Sequence, residues 1–167
     1  RRVPLTVRFS LNTYSIRMGL TMSADSARLA LSEIVGEKWV EVEPFASVNL
    51  LSDWTNRFHG RPLAIVKPAD TAEVSAVLKW ANDNNVPVVA QSGNTSLVGG
   101  GTPTADGKAV LLSLQRMNKV ERIDAVNDTM VVDAGVILQK AQEAARAHGR
   151  LFPLSFASEA VSYTHLT

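Results

Sequence analysis

Val86-Pro-Val-Val-Ala-Gln-Ser-Gly-Asn-Thr-Ser-Leu-Val-Gly-Gly-Gly101 decides the reading of this chain. It begins as a short apolar, β-branched run, Val86–Ala90, which reads as a strand. It then enters a loop in which four of the ten glycines fall between Gly93 and Gly101. Loops at the carboxyl ends of parallel strands are where ligands tend to sit. Small residues let backbone approach a ligand closely, and successive N–H groups can form a concave anion nest. Ser92, Asn94, Thr95 and Ser96 add donors without bulk, so a phosphate or pyrophosphate is the natural guest. No Gly-Lys-Ser/Thr follows, which excludes a P-loop, and the glycine spacing is not that of a Rossmann fingerprint. By itself the loop reads equally as a structural turn; what precedes it favours the phosphate.

Upstream, Leu63–Val66 is an apolar run halted by Pro68. Asp70 and Glu73 have capping-box spacing, Val74, Val77, Leu78 and Ala81 recur at helical steps, and Asn84 and Asn85 can close that helix. The result is a strand–helix–strand unit with parallel strands and a right-handed crossover. Further back, Ser23–Val35 reads as a helix with Ala27, Leu31, Ile34 and Val35 on one face and Gly36 at its end. Residues 37–60 have no clear period; Trp39, Phe45, Leu50, Leu51, Trp54 and Phe58 are expected to supply buried bulk, and His59 to sit in a solvated turn. Downstream, Val110–Leu114 is apolar, and Val120–Ile123 and Thr129–Val132 flank a hairpin turn at 124–128. A helix follows Gly135, from about Val136 to His148, with Ala141, Ala144, Ala145 and His148 on its inner side. Arg116 and Arg122 are expected on solvated faces.

Composition excludes several classes. The chain has 167 residues, 46% apolar and 20% charged, an ordinary globular balance for one domain. A net charge of +1 provides no field for nucleic acid. Apolar runs such as Ala109–Leu112 are far shorter than a membrane span. There is no cysteine, hence no disulfide and no thiolate chemistry; His59, His148 and His165 lie far apart, and no metal site is expected. Residues 1–21 carry four arginines and no acid; they read as a leader or as a non-native upstream segment, and 161–167 as an anomalous tail. Between them, 22–60 is an N-terminal helical segment and 61–160 the main body.

Four ordered stretches, residues 65–74, 86–100, 127–135 and 151–159, resemble FAD-linked oxidases of the p-cresol methylhydroxylase or vanillyl-alcohol oxidase fold. The nearest branch is the D-2-hydroxyglutarate and D-lactate dehydrogenases, relatives of the glycolate oxidase flavin subunit. The resemblance implies an α+β fold: part of a PCMH-type FAD-binding domain, with a small parallel strand–helix–strand subdomain followed by mostly antiparallel strands. It implies an oxidoreductase whose parent oxidises a small 2-hydroxy acid by hydride transfer to FAD, with an unidentified electron acceptor. It places the FAD pyrophosphate on Ser92, Gly93, Asn94, Thr95, Ser96 and Leu97, with Pro153, Leu154 and Ser158 bordering the flavin. Thr95 stands where covalent relatives carry a flavin-linked histidine, which implies a non-covalent cofactor. Ser92 stands where glycine is common, and Ala90 where proline is common. No catalytic position of the family falls within the chain, so the fragment is expected to be inactive. The alternatives are a truncated fragment that binds nothing, or the same fold serving a nucleotide-sugar reductase. The expected location is the cytoplasm, or the mitochondrion if residues 1–21 are a genuine leader.

Overall fold

The computed structural model describes residues 22–155. A four-stranded sheet is built from β1 (Val40–Glu41), β2 (Ala64–Val66), β3 (Val88–Gln91) and β4 (Val110–Ser113), in the order β1-β2-β4-β3. β2, β4 and β3 are parallel, and β1 is antiparallel to β2. β2 and β3 therefore have the polarity expected of a strand–helix–strand unit without being neighbours. β4 returns between them, with Leu111 facing Ile65 on one side and Val89 on the other. Ala109–Leu112 is at most 3% exposed, and a parallel strand covered on both faces reads as a continuous apolar run.

Helices α1 (Ala24–Val35) and α2 (Thr71–Asp83) cover one face of the sheet. Ala27, Leu31 and Val35 of α1 share a core with Val77 and Ala81 of α2 and with Ala64, Val66, Val110 and Leu112 of the sheet. The opposite face buries Ile65 and Leu111 against Leu50, with Phe45, Leu51 and Val89 around them. Ser23 caps α1 by accepting from the Ser26 N–H at 3.2 Å. Asp70 caps α2 by accepting from Glu73 N–H at 2.9 Å, while the Glu73 carboxylate reaches back to Ala69 N–H at 2.6 Å. Asn85 turns the chain out of α2 with φ +55°.

Beyond the sheet, β5 (Val120–Asp124) and β6 (Thr129–Val132) form an antiparallel hairpin, followed by α3 (Leu138–Ala147). Asp124 organises the hairpin turn by accepting from the N–H groups of Val126 and Asn127, both at 3.1 Å.

Several burial expectations need correction. Trp54 and Phe58 are exposed rather than core, because Leu50 and Leu51 already occupy the space under the sheet. Leu78 lies off the buried face of α2 and is exposed. His148 is exposed beyond the end of α3, with Nδ1 2.9 Å from the Ala144 carbonyl, and Gln142 takes the inner position with Ala141 and Ala145. Arg116 is not solvated. Its guanidinium lies 3.9 Å from the centre of the Trp39 ring and donates to the Lys67 carbonyl at 2.6 Å, with Glu73 3.7 Å away. It thereby joins three separate segments. Arg116→Ala is expected to lose about 1–2 kcal/mol of stability, and Arg116→Lys to recover little, since an ammonium stacks and donates less well at such a site. Denaturant unfolding checks this: equal midpoints for the wild type and Arg116→Ala would refute it.

Candidate functional site

The Gly-rich loop leaves the carboxyl end of β3 and is fastened by its side chains. Gln91 is buried, and its Nε2 donates to the Leu50 carbonyl at 3.1 Å and to the Gly101 carbonyl at 2.8 Å, pinning both ends of the loop. The Ser92 hydroxyl donates to the Ala134 carbonyl at 2.9 Å. Asn94 takes φ +53°, and its Nδ2 donates to the carbonyls of Asn49 at 3.0 Å and Ser52 at 2.7 Å. The loop is thus held between residues 49–52 on one side and residue 134 on the other.

With the side chains holding the loop, its peptide groups are left free. Among the described residues, the N–H groups of Ser92, Gly93, Asn94, Thr95, Ser96 and Leu97 donate to no protein acceptor. The next donor is Val98 N–H, to the Ser96 hydroxyl at 3.3 Å. Ser92, Gly93 and Asn94 line a cleft of about 560 Å³. A Cβ built on Gly93 would meet nothing closer than the Thr95 methyl at 3.8 Å. Gly99 is different: its φ is +72°, and a side chain there would collide with the Phe58 ring at 2.8 Å.

Residues far apart in sequence complete the cleft: Asn49, Ser52, Asp53 and Trp54 from one segment, and Gln115, Asn118, Gly135, Ile137 and Lys140 from others. Periodicity could not reveal them. The available signal was the Asp53-Trp-Thr-Asn-Arg-Phe58 run, whose aspartate has the spacing to accept from following amides. Asp53, 3% exposed, accepts from the N–H groups of Arg57 at 2.8 Å, Phe58 at 2.9 Å and Thr55 at 3.3 Å, and from the Thr55 hydroxyl. Burial pushes the Asp53 carboxyl up, but these donors, Phe58 N–H foremost, outweigh it and hold the group below its ordinary 3.8.

That shift has a sign. A carboxylate with a lower pKa in the native than in the unfolded chain contributes stability that is whole above the unfolded value and lost as pH falls through the native one. The turn that carries Trp54 is therefore expected to loosen below pH 3.8. Glu41 acts in the same direction: burial raises it, but hydrogen bonds from Lys67 and Ser47 bring it below 4.5. Melting temperatures taken from about pH 6 down to about pH 2 check this, with Asp53→Asn expected to give a lower but flatter profile. A profile as steep as the wild type's would sink it.

The remaining expected site residues lie elsewhere. Thr95, Ser96 and Leu97 contribute free N–H groups but do not line the cleft. Pro153 and Leu154 are exposed and do not line it; the Leu154 carbonyl accepts from Gln142 of α3 at 2.8 Å. Ser158 lies outside the described residues. Among the described residues no three His, Asp or Glu are placed to hold a metal ion, and no helix is long and apolar enough to cross a membrane.

A row of unpartnered N–H groups fits an anion and repels a cation. Among the described residues, the one cation on the cleft is Lys140, which donates to the Asn118 carbonyl; the one anion, Asp53, is already saturated by its own turn. Among the described residues, the oxygens Oδ1 of Asn94 and Oε1 of Gln91 are buried without a hydrogen-bond partner. A diphosphate matches this row of donors.

Comparison with known proteins agrees. Residues 62–162, more than half of the chain, match the family described as FAD binding domain. A D-2-hydroxyglutarate dehydrogenase from Xanthomonas citri pv. viticola is 40% identical over 134 residues, covering 80% of this chain and 28% of that protein. A D-lactate dehydrogenase from Archaeoglobus fulgidus is 43% identical over 89 residues, covering 53% of this chain and 19% of that protein. The crystal structure of p-cresol methylhydroxylase with substrate bound superposes with a TM-score of 0.65 at 23% identity, over 83% of this chain and 27% of that one. The chain thus spans about a quarter of the length of such relatives. With its mixed, mostly parallel sheet, separate antiparallel hairpin and anion-seeking loop, it belongs to the FAD binding domain family, and its cofactor is FAD.

Proposed function

We propose that this chain is the diphosphate-binding part of a flavoprotein that oxidises a small D-2-hydroxy acid of the 2-hydroxyglutarate or lactate kind. The observation that carries this is the row of six unpartnered N–H groups from Ser92 to Leu97 beside the cleft. The names of the relatives point the substrate class toward D-2-hydroxy acids.

In this reading the amides of residues 92–97 hold the diphosphate oxygens, and Gly93 leaves room for them. Asn94 orients the loop, and Gln91 keeps its two ends together. The Lys140 ammonium can turn from the Asn118 carbonyl toward the added negative charge. Pro153, Leu154 and Ser158 border the flavin once the following chain is in place. Thr95 offers no imidazole for a covalent link and this chain has no cysteine, so residues 92–97 hold the cofactor by non-covalent contacts. When bound, FAD would supply the hydride-accepting chemistry needed to oxidise the alcohol carbon of such a substrate. Turnover needs the residues of the longer protein, and the chain alone is inactive. The cytoplasm is the location we propose for the parent.

The test is flavin absorbance after desalting, on the full-length protein and on residues 22–160. A yellow full-length protein whose flavin is reduced by D-2-hydroxyglutarate or D-lactate is the expected result. A colourless one would reject the proposal.

A further inference from the structure

Trp54 is 58% exposed on the wall of the cleft. An indole left in water forgoes the burial that makes tryptophan useful, so one held open beside a cleft calls for a partner. The other two described indoles are occupied. Trp39 lies under the Arg116 guanidinium at 3.9 Å and near the Lys38 ammonium at 5.0 Å, and Trp80 packs against the helical core. Among the described residues no cation lies over the Trp54 ring.

The backbone beneath Trp54 is not loose. Asp53 accepts from three N–H groups and one hydroxyl of the same turn, and its own N–H donates to the Phe58 carbonyl at 3.1 Å. The neighbouring Ser52 carbonyl accepts from Asn94, which ties this wall to the loop with free amides. The backbone that carries this aromatic side chain is thus fixed beside an anion seat. A dinucleotide whose diphosphate rests on that seat carries a flat ring system on either side of it.

We propose that Trp54 is the stacking platform for one ring of the dinucleotide, in addition to the loop that holds its diphosphate. This rests on the reading of residues 92–97 as the diphosphate seat. Isoalloxazine and adenine share the required chemistry, a planar π-face, and the experiment separates them.

The experiment uses the full-length protein, stripped of flavin and titrated with FAD. Trp54→Ala is expected to bind FAD about tenfold more weakly, and Trp54→Phe to recover most of the affinity. Melting temperatures of the apoproteins should agree, because removing an exposed ring leaves no core cavity. FMN and ADP, each titrated into wild type and Trp54→Ala, identify the ring: weakening confined to FMN names isoalloxazine, weakening confined to ADP names adenine, and either supports stacking. Trp54→Ala binding FAD as tightly as wild type overturns the proposal, as does a phenylalanine that restores nothing. A Gly93→Val control tells the two readings apart. If Gly93→Val loses FAD while Trp54→Ala does not, only the stacking fails. If neither loses it, the seat itself is misplaced.

Discussion

Gly93→Val is expected to keep the fold and lose the cofactor, with FAD affinity falling by about a hundredfold or more, equivalent to roughly 2.7 kcal/mol. Two observations separate binding from folding here. Gly93 is not in the left-handed region, so valine meets no backbone strain. The space beside its Cα holds no protein atom closer than 3.8 Å, so a first carbon is accepted without a clash. Gly93 itself lines the cleft. A β-branched side chain placed there stands where diphosphate oxygens must approach the free amides. Gly93→Ala, with one carbon, should fall between the two. The checks are flavin retained through desalting and the melting temperature of the apoprotein. Undiminished retention in Gly93→Val would mean that the loop is only a turn.

Gly135→Ala is expected to fail in the opposite way, by loss of the fold. A Cβ at Gly135 would overlap the Leu114 carbonyl oxygen and come within 2.7 Å of the Met117 carbonyl oxygen. Both are backbone atoms, so no side chain can swing aside. The approach is tight because this is where the parallel sheet joins the hairpin. Gly135 N–H donates to the Met117 carbonyl at 2.8 Å, and Asp133 and Lys119 exchange two further bonds at 2.9 Å. Parting these connecting segments to admit a methyl breaks that junction, at a cost of about 3 kcal/mol or more. Because Gly135 also lines the cleft, cofactor retention should fall with stability. Denaturant midpoints within a few tenths of a molar of wild type would refute this.

The consequences of substituting the two glycines differ because of what surrounds each in space. Gly93 sits in a run of small polar residues that already suggests close approach to a ligand. Gly135 reads as a break before a helix, and nothing local tells that residues 114–117 pass against it. The same holds for Arg116, a charged residue between apolar segments that turned out to be stacked on a tryptophan 77 positions earlier in the chain.

What the sequence determined by itself is what depends on neighbours a few residues away. The helices at 24–35 and 71–83 follow from capping residues and apolar spacing, the strands from short β-branched runs, and the loop's bareness from its small side chains. Only the tertiary structure decided that β4 enters between β2 and β3, that Asp53 stiffens a turn with no periodicity, and that Trp54 and Lys140 face one cleft. Those outcomes depend on contacts between segments distant in sequence, chosen by which apolar faces can be covered together, and no window of local sequence carries that information.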